Sequence, residues 1–510
     1  MPAWFEENRA HAHTRLPIMV RFCDPTTAVC QDVFLHAGAL MAEVGVRAMV
    51  RHTHEGHDKT WWKRGPPEAW APQVNITGLN YVANAIEEAH AANVSMIGYH
   101  YPRCHEYFSE AYPQWINRNF DGTPQPPAAR GQTLCVNSGW RDEYMGQLED
   151  LVSFNVDGLY FDEYPQPEGG CWCDSCKAAY KNYTGNPNAT LPGPNDANYR
   201  DTLLFNTHSV QRFFTDIVAT VDAKAAALKR APVATLVSLH TLPCLNNGNL
   251  LFETTRISGC VGPNTVSKIE FDTGAGHPCV LAFTANKSSP LYGASPAADL
   301  LTTMGWAIGR DAAFGRPGHT WDPNTHKNAS DVLCGATAMM THGLIANLDH
   351  QESLIPNATL FRESYAVANA LSPYLNGTRP KRWLGVLFSE AARDAFLPTT
   401  GGNGTLFQDL MLPTLGAWEA CVRHAAACGV LLDWQLTVDE AYLNQFSVIV
   451  VPPLPTPLTA AQKAALGSFP GPVVYMDSDP SGWTNVTTRA ALTAKLWTAV
   501  VEAAGPPPIA

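Results

Sequence analysis

The sequence contains little charge, and its basic residues are scattered. Only 16% of its 510 residues are Asp, Glu, Lys or Arg, and the 34 Lys and Arg residues form no run. The net charge is −12, so the chain lacks the basic surface that nucleic acid or an anionic membrane would attract. No apolar stretch approaches the roughly 18 residues of a membrane span. We therefore expect neither a nucleic-acid partner nor a membrane span.

The sequence also lacks the polar composition of a disordered chain. Hydrophobic residues make up 45% of it and aromatic residues 10%. Its length exceeds that of one ordinary domain. A barrel of about 250 residues or more, together with one smaller domain, would account for it.

A signal peptide is absent as well, because Met1–Arg15 is polar and rich in His, without an apolar core. Asn-x-Ser/Thr sequons, the acceptors of N-linked glycans, are nevertheless more frequent than chance pairing predicts. Their asparagines are Asn75, Asn93, Asn182, Asn188, Asn286, Asn328, Asn357, Asn376, Asn403 and Asn485. We expect a secreted, lysosomal or vesicular protein whose signal peptide is absent from this sequence. The alternative is a Thr-rich cytosolic protein with unused sequons.

Apolar segments of strand length alternate with amphipathic helical segments in the first three quarters of the chain. The predicted strands are 17–22, 48–51, 95–99, 158–161, 234–239, 267–271, 315–319 and 344–348. The predicted helices include 79–92, 142–154, 201–228, 297–309 and 329–342. Strands that each lead into a helix, in this number, predict a (β/α)8 TIM barrel. No Gly-rich phosphate loop follows the first strand, which argues against a Rossmann sheet.

A break at 375–380 separates this region from a smaller α/β unit. Strands at 383–388, 446–452 and 472–475, with helices at 412–428 and 459–466, predict a doubly wound, flavodoxin-like domain. It is similar to class I glutamine amidotransferase modules, but no Cys occupies a strand-to-helix elbow, so we expect a structural or oligomerising role. The predicted divisions are an extension at 1–15, the catalytic barrel at 16–377, the α/β domain at 378–503 and a Pro-rich tail at 504–510.

Reacting groups of such a barrel project from the carboxyl ends of its strands. Here those ends are rich in imidazoles, aromatic rings and carboxylates. They carry Arg51, His52, His54 and Trp61 after the second strand, Tyr99 and His100 after the third, Asp162 and Glu163 after the fourth, His240 after the fifth, Glu270 after the sixth, and His319 and Trp321 after the seventh. Such groups suit a carbohydrate, because sugar hydroxyls need polar partners and sugar C–H faces stack on aromatic rings. Packing roles for the histidines, or metal binding by His52 and His54, are the alternatives.

Glycoside cleavage needs two carboxyl groups, which stand about 5–5.5 Å apart in enzymes that retain the anomeric configuration. Asp162 and Glu163 are adjacent, so an extended strand would point only one of them into the site. Glu270, two strands further along, is the best candidate for the second carboxyl group. A structural role, as a loop anchor or in a salt bridge, is the alternative for each.

The cysteines give a sharper pattern. Cys171, Cys173 and Cys176 have a C-x-C-x-x-C spacing that places three thiolates on one loop. Cys135 is the best candidate for a fourth ligand, ahead of Cys104. We predict a structural zinc ion, because four thiolates leave no open position for water, and no organic cofactor. Disulfides are the alternative, and Cys260–Cys279 or Cys23–Cys30 could form a bridge elsewhere in the chain.

These motifs resemble two groups of glycoside hydrolases. Asp162-Glu-Tyr-Pro, followed by the C-x-C-x-x-C loop, is similar to the family-42 β-galactosidases, where Asn-Glu-Tyr precedes a zinc loop. Leu134-Cys-Val-Asn-Ser-Gly-Trp-Arg141 resembles their segment with the fourth zinc cysteine, and 446–453 resembles part of their trimerisation domain. This resemblance implies a trimer and makes Glu163 the acid/base. Asp162 replaces the Asn of that family, and its usual nucleophile motif near the seventh strand is not evident.

Val50-Arg-His-Thr-His-Glu-Gly56 resembles the strand-2 motif of the family-29 α-L-fucosidases, whose histidines hold fucose, and Gly158-Leu-Tyr-Phe-Asp162 resembles their nucleophile segment. The combination of these motifs with a family-42-like frame is similar to the family-151 α-L-fucosidases. This resemblance implies that Asp162 is the nucleophile, Glu270 the acid/base, and His52 and His54 sugar ligands. We therefore predict a retaining, exo-acting α-L-fucosidase. A β-galactosidase and a catalytically silent carbohydrate-binding barrel are the alternatives.

Overall fold

The computed structural model describes two parallel sheets and the helices that cover them, so the protein is of the mixed α/β class. The described residues are 13–16, 37–55, 59–127, 131–161, 170–240, 265–270, 304, 307, 311, 318–320, 322–323, 344–345, 347–349, 358–375, 381–395, 410, 412–476, 483 and 486–508. Predictions that fall on other residues, including helix 329–342 and the bridges Cys260–Cys279 and Cys23–Cys30, lie outside this part of the chain.

The strands of the first sheet are parallel and pair in chain order. They are β1 (His13–Leu16), β2 (Ala48–His52), β3 (Ser95–His100), β4 (Gly158–Phe161), β5 (Ala234–His240), β6 (Thr265–Glu270), β7 (Gly318–Thr320) and β8 (Leu344–Ile345 and Asn347–Asp349). A short segment, Asp322–Pro323, follows β7 and pairs with β8. The first part of β8 pairs with β7 and the second part pairs with β1. The parallel pairings therefore follow chain order from β1 to β7, with one part of β8 next to β7 and the other next to β1.

Helices follow the strands in this region and cover one side of the sheet. The longer ones are α1 (Ala37–Val44), α2 (Tyr81–Ala91), α3 (Trp140–Ser153), α4 (Asp174–Thr184), α5 (Tyr199–Ala227) and α6 (Ala358–Leu375), with shorter helices at Pro72–Thr77 and Glu106–Ala111. Helix α2 shows why these segments are helical. Its buried residues Val82, Ile86 and Ala89 recur on one face, and Asn80 caps it by accepting the N–H of Ala83 at 3.0 Å.

Alternate residues of the strands pack on opposite faces of the first sheet. Met49 of β2 belongs to the core that includes residues of α2, α3 and α5. Its neighbour Val50 belongs to a separate buried cluster with Ile97, Tyr160 and Leu236. Because successive side chains of a strand point to opposite sides, this second cluster lies on the face turned away from the helices. We call it the inner face.

The second sheet contains four parallel strands in the order β10-β9-β11-β12. They are β9 (Leu384–Phe388), β10 (Cys428–Leu432), β11 (Val448–Val451) and β12 (Val473–Tyr475). The helices of this region are α7 (Leu412–Arg423), α8 (Ala460–Ser468) and α9 (Val486–Ala504), with shorter ones at Glu390–Ala395 and Glu440–Leu443. A disulfide between Cys421 and Cys428, whose Cα atoms are 6.2 Å apart, ties α7 to β10.

A buried ion pair joins the second sheet to the part of the chain that precedes β7. The Asp311 carboxylate accepts Nη2 of Arg382 at 2.8 Å and the backbone N–H of Val430 at 2.7 Å. Both charged side chains are at most 1% exposed. Met304 and Ala307, seven and four residues before Asp311 in the sequence, are buried in the same core as the second sheet. The two parts of the chain therefore share a core and a buried charge pair.

Candidate functional site

An aromatic row lies on the inner face where β2, β3 and β4 end. The sheet register pairs His52 with Tyr99 and Tyr99 with Tyr160. The imidazole of His52 stacks on Tyr99 with ring centroids 4.2 Å apart, and Tyr160 meets Tyr99 edge to face at 5.0 Å. His52 is 8% exposed and the two tyrosines are less so. We call His52, Tyr99 and Tyr160 the inner row.

The candidate carboxylates of the fourth strand come directly after this row in the sequence. Strand β4 ends at Phe161, which packs in the core on the helix side. Asp162 and Glu163 follow it and lie outside the described residues. In the sequence they follow the carboxyl end of the strand that carries Tyr160.

The remaining strand-end candidates belong to β5, β6 and β7. The last residue of β5, His240, pairs through its backbone with Glu270, the last residue of β6. His319 of β7 pairs with Lys268, two residues before the end of β6. Trp321 lies outside the described residues. The backbone register therefore brings His240 and Glu270 to the same edge of the sheet.

Arg51 and Trp61 are buried away from the inner row. Arg51 shares the helix-side face of β2 with Met49, and burial lowers its pKa to about 10, although Glu88 of α2 opposes this effect. Trp61 belongs to the helix-side core and meets Tyr81 edge to face at 5.6 Å. Both were predicted sugar ligands, and neither side chain belongs to the inner row.

A second group of imidazoles, the histidine cluster of His54, His100 and His105, lies on the helix side of β3. The rings of His54 and His100 stack with centroids 4.1 Å apart, and His105 approaches His54 edge to face at 5.8 Å. Sequence spacing predicted that His52 and His54 act together. They separate because β2 ends at His52, and the backbone N–H of Thr53 then donates to the carbonyl of Tyr99 at 2.9 Å.

Hydrogen bonds connect the histidine cluster to the inner row. The hydroxyl of Thr53 donates to the carbonyl oxygen of Tyr99 at 2.8 Å, so it accepts from Nδ1 of His100, also at 2.8 Å. On the other side, Nε2 of His54 lies 3.2 Å from the amide oxygen of Gln147 on α3 and donates to it. These bonds fix the ends of β2 and β3 against α3. Thr53 and Gln147 therefore position the inner row, a role that the sequence pattern did not indicate.

Burial keeps the histidine cluster neutral. It lowers the pKa of His54 to about 4, with the Gln147 hydrogen bond opposing the shift. Burial also lowers the pKa values of His100 and His105 well below the usual value, and mutual repulsion with His54 adds to both shifts. Neither ring nitrogen of His105 has a hydrogen-bond partner among the described residues. Protonation of this cluster would therefore place unpaired charge in the core.

We expect the protein to lose stability as the pH falls below about 6.5, because the unfolded imidazoles take up protons that the folded cluster cannot. Each neutral histidine costs up to about 1.4 kcal/mol of unfolding free energy for each pH unit below that value. Replacing His105 with Phe removes one such group and a buried unpaired donor. Urea unfolding between pH 6.5 and pH 4.5 should therefore show a shallower loss of stability in His105→Phe.

Phe108→Leu provides the matched control for this prediction. Phe108 packs on the His105 ring with centroids 4.6 Å apart, but it does not titrate. We expect this variant to lower the unfolding free energy by a similar amount at every pH. A His105→Phe protein whose pH dependence parallels that of the wild type would contradict the assignment.

The four cysteines predicted as metal ligands come together in one buried cluster. The Sγ atoms of Cys135, Cys171, Cys173 and Cys176 all lie within 4.8 Å of one another. Those of Cys135 and Cys176 are 3.3 Å apart, and those of Cys135 and Cys173 are 3.5 Å apart. Disulfide sulfurs stand about 2.05 Å apart, so these thiols are not bridged. Cys104, the other candidate ligand, packs on the inner face instead.

The thiol cluster joins the two long loops that follow β3 and β4. Cys135 belongs to the first of these loops, Cys171 and Cys173 belong to the second, and Cys176 lies in the first turn of α4. The loops also meet through the backbone N–H of Trp172, which donates to the carbonyl of Arg118 at 3.0 Å, and through Gln125, whose amide donates to the carbonyl of Gly170 at 2.8 Å. The cluster therefore fixes residues 170–176 against the loop that follows β3.

No protein-family profile and no curated protein matches the sequence. Solved structures do match its fold. The cold-adapted β-galactosidase from Rahnella sp. R3 has a TM-score of 0.67 at 13% identity, over 92% of this chain and 71% of its own. A GH42 β-galactosidase from G. stearothermophilus has a TM-score of 0.67 at 12% identity, over 92% of this chain and 72% of its own.

A fucosidase has a similar fold. The α-L-fucosidase isoenzyme 2 from Paenibacillus thiaminolyticus has a TM-score of 0.59 at 12% identity, over 94% of this chain and 65% of its own. The chain therefore has a fold that is found among glycoside hydrolases. Among the helices that the structure describes, none has both the length and the apolar character that a membrane crossing requires.

Proposed function

We propose that the protein is a glycoside hydrolase, specifically a retaining, exo-acting α-L-fucosidase. The observation that carries this proposal is the inner row at the carboxyl ends of β2, β3 and β4. Strand β4 ends directly before Asp162. The fold is found among β-galactosidases and an α-L-fucosidase. The cyclic order of parallel pairings supports a (β/α)8 barrel, whose reacting groups stand at the strand ends. The second sheet is then the flavodoxin-like supporting domain.

In this proposal the chemistry uses two carboxyl groups. Asp162 attacks the anomeric carbon and forms a glycosyl-enzyme ester, while the leaving oxygen takes a proton from Glu270. Glu270, now a carboxylate, then removes a proton from water, which releases the sugar and restores both groups. His52 binds sugar hydroxyls, and Tyr99, which stacks on the His52 ring, holds that ring in place. His54 lies on the helix side of the sheet and holds the end of β2 against α3.

We also propose that the thiol cluster binds a structural zinc ion. Four buried thiols whose sulfurs all lie within 4.8 Å of one another suit a tetrahedral thiolate site, in which a Zn–S bond of about 2.3 Å separates the sulfurs by about 3.8 Å. Hydrogen bonds from the other cluster thiols, that of Cys135 first, lower the pKa of the Cys173 thiol, which favours the thiolate form. Zinc would cross-link the two loops and leave no position for water.

Secretion is part of the same proposal. The described sequon asparagines Asn75, Asn93, Asn182 and Asn188 are exposed to solvent. The Cys421–Cys428 disulfide is typical of proteins that mature in an oxidising compartment. Both features favour a secreted or vesicular protein. A homotrimer, formed through the second sheet region, follows from the family-42 resemblance.

A β-galactosidase is the second candidate, because two β-galactosidases of similar fold have higher TM-scores than the fucosidase. In that case Glu163 is the acid/base. Hydrolysis of p-nitrophenyl α-L-fucoside and of the corresponding β-D-galactoside distinguishes the two. We expect release of p-nitrophenol from the fucoside; release from the galactoside alone would contradict the fucosidase proposal. Binding of either sugar without turnover would indicate a silent carbohydrate-binding barrel.

A further inference from the structure

Asn137 provides N–H donors to two sulfurs of the thiol cluster. We infer that Asn137 sets the affinity of the cluster for its metal, by donating to the thiolates and by anchoring them to α5. This inference rests on the proposed zinc site. A zinc ion with four thiolates carries a net charge of about −2, which is costly to bury unless hydrogen-bond donors surround it.

Two donors of Asn137 reach different ligands. Its backbone N–H points to Sγ of Cys135 at 3.4 Å, and its side-chain Nδ2 lies 3.4 Å from Sγ of Cys176. The backbone N–H of Cys176 adds a third donor, to Cys173, also at 3.4 Å. In the part of the chain that the structure describes, no Lys or Arg side chain donates to these sulfurs. Amide groups therefore carry the stabilisation that a cation would otherwise provide.

A neighbouring hydroxyl fixes the orientation of the Asn137 amide. Nδ2 lies 3.0 Å from Oγ of Ser209 on α5, and that hydroxyl donates its own proton to the carbonyl of Phe205 at 3.0 Å. Ser209 can therefore only accept from Asn137, so the nitrogen and not the oxygen of the amide faces Cys176. One N–H bond goes to the thiolate and the other to the helix.

This arrangement gives Asn137 two effects on the metal. Its N–H groups offset negative charge on the Cys135 and Cys176 sulfurs, and its bond to Ser209 holds those sulfurs in place before the metal arrives. Groups that orient metal ligands typically change metal affinity about 10- to 100-fold when they are removed. Asn137 is a positioning residue, because it contacts the ligands and not the metal.

Competition with a chromophoric zinc chelator tests the inference. We expect Asn137→Ala to bind zinc about 10-fold more weakly than the wild type, because it retains the backbone donor and loses Nδ2. Asn137→Asp has nearly the same shape but places a carboxylate oxygen against the thiolates, so its affinity should fall further, by about 100-fold. Ser209→Ala should show a smaller loss than Asn137→Ala, and it provides a second test if the Asn137 variants fold poorly.

Cobalt substitution gives a spectroscopic readout that would not change if Asn137 only supported the fold. A hydrogen bond lowers the energy of the thiolate lone pair, so its loss should shift the sulfur-to-cobalt charge-transfer band of Asn137→Ala to longer wavelength. Asn119→Ala is the matched control, because Asn119 lies on the same loop and its side chain bonds to Thr123. We expect its metal affinity to equal that of the wild type.

The outcomes separate this inference from the proposals on which it rests. A wild type that binds zinc, with Asn137→Ala and Ser209→Ala within about twofold of it, overturns the role of Asn137 alone. A wild type that binds no zinc overturns the metal site as well. Neither result bears on the glycosidase activity, which the substrate assay tests separately.

Discussion

Replacement of Asp162 by Ala is expected to abolish turnover while leaving the fold intact. In the proposed mechanism Asp162 forms the covalent bond to the anomeric carbon, so its loss removes the first chemical step. Removing a catalytic group of this kind typically lowers kcat about 10⁴-fold or more. The measurement is the steady-state rate on the p-nitrophenyl glycoside, with circular dichroism and thermal unfolding to show that the variant is folded.

Chemical rescue makes this prediction specific to a nucleophile. Azide can occupy the space left by the carboxylate and attack the anomeric carbon from the same side. The Asp162→Ala variant should therefore form a glycosyl azide with inverted configuration. Asp142→Ala, which changes an exposed carboxylate in the first turn of α3, should retain wild-type rates. Near-normal hydrolysis by Asp162→Ala would remove it from the catalytic role.

Replacement of Cys173 by Ser is expected to release the metal and destabilise the protein. A hydroxyl is a much weaker zinc ligand than a thiolate, so bound zinc should fall from about one ion per chain to near zero. The free energy of metal binding contributes directly to folding, and we expect the unfolding temperature to fall by about 10 °C or more. Elemental analysis and thermal unfolding measure the two effects.

Cys104→Ser is the matched control for the zinc prediction. Cys104 is also buried, at 1% exposure, but it packs on the inner face with Tyr99 and Tyr101, outside the thiol cluster. We expect this variant to keep its zinc. Wild-type protein should also lose thermal stability when a strong chelator removes the metal, and Cys173→Ser should not respond to the chelator. An unchanged metal content in Cys173→Ser would contradict the proposed zinc site.

Strands that are apolar on both faces could be predicted from the sequence. The prediction for β4 matches the structure residue for residue, and those for β2, β3 and β5 miss only one residue at the carboxyl end. Strand β1 was not predicted, because His13-Thr-Arg-Leu16 has no apolar pattern. Its backbone pairs with a strand on each side, which side-chain periodicity does not show. The predicted first strand, 17–22, lies outside the described residues.

Strand β10 was missed for a different reason. The sequence His424-Ala-Ala-Ala-Cys428 favours helix, so the helix was predicted to continue to residue 428. In the structure α7 ends at Arg423, and Ala425 adopts a positive φ of 49°. The Cys421–Cys428 disulfide closes this turn. Tertiary pairing with β9 therefore outweighs the local propensity of the alanines.

In the site as well, sequence spacing predicted some side-chain positions, and tertiary packing determined others. The Cys171–Cys176 spacing and the choice of Cys135 predicted the thiol cluster, because short spacings on a loop constrain geometry strongly. The His-x-His spacing did not predict where the two imidazoles lie, because the strand ends between the two histidines. His52 joins the inner row and His54 the histidine cluster. Where a strand ends depends on its neighbours and not on its own residues.

The Asp311–Arg382 ion pair makes the two sheets inseparable in practice. A truncation after residue 377 would remove Arg382 and leave a buried carboxylate without its cation, which typically costs about 3–5 kcal/mol. The same truncation would expose Met304 and Ala307 to solvent, because both residues pack in the core of the second sheet. A shortened catalytic fragment is thus a poor starting point for engineering or for recombination with other barrels. The C-terminal quarter of the chain therefore supports the segment that leads into β7.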